Sequence, residues 1–189
     1  MFGSLFKRPA AKGQWPQAMA AMGRSAPRLE QELDTFTTGE AGILVRPSVD
    51  QDGQAAEAEL QRALGTSEFL RAGNYRIHLD SGGFPWIVVA AGSLLELTSA
   101  VQAAGSALIR TGIGERVIAS VFPFTWQERR LYWVYQPRVS GFTPFVPLGE
   151  AHDEERDHPL EVRMASALHK SIPVVKSVTE WYPVWDRPF

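Results

Sequence analysis

The chain of 189 residues contains no cysteine and carries almost no net charge. Without cysteine there can be no disulfide, thiol nucleophile, Cys-x-x-Cys redox pair or thiolate zinc site. The 19 basic and 21 acidic residues leave a net charge of -2, so no global field attracts a polyanion. These absences exclude enzymes that depend on a cysteine nucleophile, a cysteine redox pair or a thiolate-bound zinc ion, and we expect no nucleic-acid partner.

Long apolar runs are also missing. The longest, 87–91, is far shorter than the roughly 20 residues that a membrane-spanning helix needs. The first charges follow the apolar residues, which is the reverse of a secretory signal, and we expect a cytoplasmic protein. An amphipathic turn of five N-terminal residues could touch the inner face of the membrane, although we favour a frayed terminus. The five are Phe2, Leu5, Phe6, Lys7 and Arg8.

The chain divides into a tail and one domain. Proline and glycine recur through the first 27 residues, which we interpret as a flexible N-terminal tail. Leu29, Leu33 and Phe36 then follow helical spacing, which predicts a short helix over residues 28–36. Residues 28–189 are predicted to form a single α+β domain.

The order of elements predicts the fold class. Helical and strand patterns alternate as helix, strand, helix, two strands, helix, two or three strands, helix. Ser93 and Glu96 form a capping box before the longest helix. Strands joined by tight turns pair antiparallel, so we expect a single antiparallel sheet of five or six strands with helices packed on it.

Motifs for catalysis are missing from the sequence. It contains no dinucleotide or phosphate-binding glycine pattern and no G-x-S-x-G elbow, so we expect a non-enzymatic protein without a cofactor. One alternative is a metal-dependent hydrolase that uses His152, Asp153, Asp157 and His158, because such a cluster offers oxygen and nitrogen ligands. Its spacing matches no zinc motif, and a solvated loop is the interpretation that we favour.

Aromatic residues are concentrated from Phe84 onward, where five of the six tryptophans and six of the ten phenylalanines lie. On paired strands, residues two apart share a face and stack across the ladder. A second alternative is therefore a single-strand nucleic-acid platform made by Trp126, Arg129, Arg130 and Trp133. We favour core packing, because the surrounding charge is mixed.

The last ten residues contain four aromatic side chains and two prolines. Trp181, Tyr182, Trp185 and Phe189 must either pack across the sheet or be presented to a partner, since exposed aromatic patches promote association. Large aromatic residues are enriched at binding hot spots, so these four are the candidate partner-binding residues.

Several segments resemble the PspAB family, the PspA-associated proteins of phage-shock and cell-envelope stress systems. The similarity runs from about Ala41 to Asp186 and includes AGILVRP, DSGGFPWIVVA, RLYWVYQPRVSGFTPFVPL and the closing EWYPVW. The start, MFGSLFKRP, is similar to that of the family but not identical. No single motif is diagnostic; the order of the segments carries the resemblance.

The resemblance implies a non-enzymatic adaptor or regulatory module in a membrane-stress response. Its expected partner is a PspA-like protein or an HtpX-like membrane protease, and the oligomeric state is left open. The order of helices and hairpins is also similar to that of secretion-chaperone-like and YbjN-like domains, which bind protein segments. A shared fold does not fix a function.

Overall fold

The computed structural model describes residues 14–70, 74–149 and 155–189. Within these ranges the helices are α1 (Gln14–Arg24), α2 (Ala26–Leu33), α3 (Gly53–Leu64), α4 (Leu94–Arg110) and α5 (His158–Leu168). The strands are β1 (Thr35–Thr37), β2 (Glu40–Val45), β3 (Tyr75–Leu79), β4 (Pro85–Ala90), β5 (Val117–Trp126), β6 (Arg129–Gln136), β7 (Gly141–Phe145), β8 (Pro147–Leu148) and β9 (Glu155–Arg156). Two 3₁₀ turns, Gly114–Arg116 and Val178–Glu180, precede β5 and the C-terminal residues.

Seven strands form one antiparallel sheet. Its order is β3-β4-β2-β5-β6-β7, and β1 pairs with the distal end of β5. Strand β5 is ten residues long, so its first half pairs with β2 and its second half with β1. The predicted hairpins β3–β4 and β5–β6 are both present. Strands β8 and β9 pair separately.

Helices cover the first face of the sheet, and α1 and α4 make the closest contact within this layer. Met19 and Met22 of α1 are fully buried. A Cβ at Gly105 would lie 2.7 Å from Cε2 of Trp15, and one at Gly23 would lie 2.6 Å from Oγ1 of Thr98. The two glycines thus let the helices approach each other more closely than alanine would.

The second face of the sheet is equally apolar and is covered by the end of the chain. Val184, Trp185 and Phe189 pack on it, beside partly buried Leu44. The buried residues of this face are Trp86, Val88, Ala119, Val121, Tyr132, Val134 and Phe145. Strands buried on both faces explain the nearly continuous apolar runs of β4, β5 and β6.

The predicted α+β class is confirmed, and so is the antiparallel sheet with packed helices. The sheet has seven strands rather than five or six, because β1 overlaps the end of the predicted helix 28–36. Asp34 adopts a left-handed conformation (φ 51°) that ends α2, and the Thr35 hydroxyl donates to the Leu29 carbonyl at 2.9 Å. Likeness to chaperone-like domains stays a prediction.

Most of the described part of the expected N-terminal tail, residues 14–27, is helical in the structure. Residues 14–24 form α1, and Pro27 belongs to the start of α2. Pro16 and Pro27 both lie in the first turn of a helix, where the missing N–H costs no hydrogen bond.

The five candidate membrane-contact residues, Phe2, Leu5, Phe6, Lys7 and Arg8, lie outside the described residues. Across residues 14–70, 74–149 and 155–189, no helix is both long and apolar enough to cross a membrane.

Candidate partner-binding surface

The chain after α5 first closes one edge of the sheet. The N–H of Phe142 in β7 donates to the Pro173 carbonyl at 2.7 Å, and the N–H of Val175 donates to the Phe142 carbonyl at 2.9 Å. Val174 thereby forms a parallel bridge with Phe142. This short main-chain contact fixes the point from which the C-terminal residues leave.

Trp181 anchors the next part of the chain. Its side chain is buried against Ala165 and Val175, and its indole N–H donates to the Val175 carbonyl at 2.9 Å. Its own carbonyl accepts a 2.9 Å hydrogen bond from Nη1 of Arg156. The position of Trp181 is therefore set from both sides.

Arg156 belongs to a buried ion pair with Glu161 of α5. Nη2 of the arginine lies 2.9 Å from Oε2 of Glu161, whose side chain is fully buried. Oε1 also accepts from the Val146 N–H at 2.8 Å, and Nδ1 of His158 lies 3.1 Å from Oε2. The pair thus joins α5, the end of β7 and the chain at Trp181.

We call residues 183–189, which lie across the second face of the sheet, the C-terminal strap. The Trp185 ring packs edge-on against Phe145 with ring centroids 4.8 Å apart. Phe189 packs edge-on against Trp86, with 5.8 Å between the centroids. A Cβ at Gly42 would lie 2.8 Å from Cε1 of Phe189, so the absence of a side chain there makes room for this ring.

Polar contacts hold the strap between its aromatic side chains. The guanidinium carbon of Arg187 lies 4.4 Å from the centre of the Tyr132 ring, a cation–π contact. Asp186 accepts from both the hydroxyl and the N–H of Ser81, the latter at 2.8 Å. These two bonds, of which the hydroxyl contributes more, lower the pKa of Asp186. Nη2 of Arg76 donates to the Pro188 carbonyl at 3.3 Å.

The four predicted partner-binding aromatics are separated by this arrangement. Trp181 is buried, and Trp185 and Phe189 pack on the second face of the sheet as half-buried residues. Tyr182 is 45% exposed, and Val178, one turn earlier, is 46% exposed. The structure thus brings Trp185 and Phe189 onto one surface and leaves the Tyr182 side chain accessible.

The structure also places part of the candidate metal site. Asp157 caps α5 by accepting from the Leu160 N–H at 3.0 Å and pairs with Arg129 at 2.9 Å. The cap and, to a smaller degree, Arg129 lower the pKa of Asp157. His152 and Asp153 lie outside the described residues. Among residues that the structure does describe, no group of three His, Asp or Glu side chains could hold a metal ion.

The residues of the candidate nucleic-acid platform do not share one accessible surface. Trp133 is fully buried in the core beneath the helices, where its ring cannot stack on a base. Arg129 pairs with Asp157 and lies 6.0 Å from the Trp126 ring centre. Arg130 is exposed and faces Thr125 across the ladder. The buried position of Trp133 agrees with the core packing that we favoured.

Sequence reasoning missed Arg156, Glu161, Gly42 and Arg187. Glu161 carried a usable signal, because it falls among Leu160, Met164 and Leu168 on the buried side of α5. Gly42 carried none, since its importance depends on a ring about 150 positions further along the chain. Contacts between residues so far apart in the chain produce no periodic pattern in the local sequence.

Comparison with known proteins gives one family. The family model described as PspA associated protein B matches residues 1–189, which is the whole chain. No curated protein and no solved structure matched the chain. A match over the full length includes the strands of the second face, the ion pair of α5 and the C-terminal strap. The chain therefore belongs to the PspA associated protein B family.

Proposed function

We propose that this protein is a non-enzymatic adaptor or regulatory module that binds a PspA-related protein in a membrane or cell-envelope stress response. Family membership supports the PspA-related role. The one observation that carries a binding role is the exposed Tyr182 beside the buried Trp181. Tyrosine supplies a large contact area at a small entropic cost and is enriched at binding hot spots.

The backbone at Tyr182 is well positioned for presentation. Trp181 is fixed through its indole and its carbonyl, and the strap that follows lies against the sheet. An anchored aromatic side chain loses little further freedom on binding, which favours affinity. Tyr182 and Val178 form the surface that we assign to the partner.

The test is a binding titration of the full chain with a purified PspA-related protein. We expect Tyr182→Ala to weaken binding by about tenfold or more, because hot-spot truncations cost about 2 kcal/mol or more and about 1.4 kcal/mol is already tenfold in affinity. Val49→Ala, which alters an exposed apolar residue after β2, is the matched control and should bind normally. Equal affinity of wild type and Tyr182→Ala would refute the assignment.

A membrane protease of the HtpX type and the inner face of the membrane are further proposed contacts. They are supported by the resemblance and by the apolar and basic residues at the N-terminus, which suit an anionic surface. Sedimentation with anionic vesicles should fall when Phe2, Leu5 and Phe6 are replaced together by serine. Unchanged sedimentation would exclude this membrane contact.

A further inference from the structure

The C-terminal strap covers a surface that would otherwise be an exposed apolar groove. Seven side chains of the second face form its floor, and each is at most 3% exposed with the strap in place. Aromatic rings lie at both ends of the floor, Phe145 on β7 and Trp86 on β4. An apolar surface of this kind is what protein-binding grooves offer.

The strap is attached differently from the segment that precedes it. Residues 173–175 form main-chain hydrogen bonds with β7, and the 3₁₀ turn ends with the Trp181 N–H donating to the Val178 carbonyl. For residues 183–189 of the described chain, every hydrogen bond involves a side chain, as at Asp186, Arg187 and Pro188. The strap can therefore leave the sheet without breaking any main-chain ladder, and segments of this kind belong to the parts of a fold that open most readily.

The contacts of the strap define what the groove recognises. Phe145 receives one aromatic ring, and the space above Gly42 beside Trp86 receives another. Ser81, in the turn between β3 and β4, donates two hydrogen bonds to a carboxylate. The face of Tyr132 receives a guanidinium, and proline is compatible because the groove uses no main-chain ladder.

We propose that this groove is a docking site for an extended, proline-containing segment of a partner protein, with two aromatic residues flanking an acidic residue and an arginine. The strap, which has this chemistry in Trp185, Asp186, Arg187 and Phe189, is the resident competitor. A short tether gives it an effective concentration of about millimolar, so a free segment binds weakly until the strap is weakened. This surface is distinct from the one at Tyr182 and does not depend on it.

The test uses a fluorescent peptide with the sequence of residues 183–189 and the full chain. In Trp185→Ala the groove residues are intact but the strap has lost one ring, so we expect the peptide to bind at least about tenfold more tightly than to wild type. Val162→Ala, at an exposed position of α5, is the control and should bind like wild type. Asp186→Asn is a milder variant for the same comparison if Trp185→Ala does not fold.

Changes in the peptide test recognition without any risk to folding. A peptide with Arg187→Gln or Phe189→Ala should lose most of its affinity for the Trp185→Ala chain, and a scrambled peptide should not bind. Equal binding of the peptide to wild type and to the weakened variants would overturn the proposal, as would equal binding of the scrambled peptide. Concentration-dependent dimers of the variant without peptide binding would also overturn it, since the occupant would then be a second copy.

Discussion

At the scale of single residues, Gly42 determines how closely the strap can lie on the sheet. A Cβ at this position would approach Cε1 of Phe189 to 2.8 Å and Cε3 of Trp86 to 2.9 Å. Real Cβ atoms do not sit so close to ring carbons, so a larger residue must displace one of the two rings. Trp86 is fully buried within β4, whereas Phe189 is only partly buried, so Phe189 is the ring that we expect to move.

We predict that Gly42→Val lowers the free energy of unfolding by about 1–3 kcal/mol, the usual range for overpacking. Tryptophan fluorescence should change as well, because Trp86 loses its contact with Phe189. Urea unfolding monitored by fluorescence measures both effects. Gly92→Ala is the control, since its Cβ would meet Glu96 only at an ordinary 3.5 Å. Wild-type stability and emission in Gly42→Val would contradict this account of the strap.

The Arg156–Glu161 pair is the second residue-scale feature with a large expected effect. Removing the guanidinium leaves a carboxylate that is fully buried in α5. Breaking a buried ion pair by removing one partner typically costs about 3–5 kcal/mol, and we expect Arg156→Ala to fall in this range. Chemical denaturation measures the loss.

Two variants separate the charge effect from a general loss of packing. Arg163→Ala removes an exposed arginine from the same helix and should cost little. Adding Glu161→Gln to Arg156→Ala removes the uncompensated charge and should recover part of the lost stability. If the double variant is less stable than Arg156→Ala alone, the buried charge is not the cause.

At the scale of elements, α1 shows why local punctuation can mislead. The prolines and glycines of the first 27 residues resemble a linker, yet Pro16 and Pro27 begin helices and Gly23 lies against α4. The helical spacing of Trp15, Met19 and Met22 was available in the sequence. The helix that this spacing predicts is short, and its apolar side chains become buried only through the contact of α1 with α4.

We predict that Met22→Ala lowers the free energy of unfolding by about 2–5 kcal/mol, as for other large-to-small changes at buried positions. Gln17→Ala, at an exposed position of the same helix, should change stability by less than about 0.5 kcal/mol. Thermal or urea unfolding measures the difference between the two variants. A tail detached from the fold would make them equal.

The last ten residues were easier to locate than to orient. Their aromatic residues and prolines predicted an irregular segment that either packs on the sheet or meets a partner. The structure does both within a few residues, because the backbone turns Trp181 inward and Tyr182 outward. One inward and one outward residue are too few to establish the alternating pattern by which a sequence reveals an extended segment with one buried side.

At the scale of the whole molecule, three carboxylates each tie a peripheral segment to its surroundings, and the pKa of each is lowered. A hydrogen bond from Arg116 is the main cause for Glu59 of α3. The Leu160 N–H is the main cause for Asp157, and the Ser81 hydroxyl for Asp186. In the unfolded chain these groups titrate near pH 4.

A carboxyl group whose pKa is lower in the folded protein than in the unfolded chain makes the protein less stable in acid. The contribution is fully present above the unfolded pKa and is lost as the pH falls through the lower folded pKa. We therefore predict that the free energy of unfolding is level from about pH 7 to 5 and falls below about pH 4. Urea titrations at several pH values measure this, and Asp186→Asn should reduce the slope. A stability that rises in acid would contradict the assignment.

The sequence by itself determined the α+β class, the main hairpins, the long helix α4 and the family, because these depend on local spacing, turn residues and the order of segments. It also identified the C-terminal aromatic residues as unusual. Only the tertiary structure decided that α1 joins the helical layer, that Glu161 is buried and that Phe189 lies over Gly42. The reason is physical: these outcomes depend on contacts between residues far apart in the chain, which no local period records.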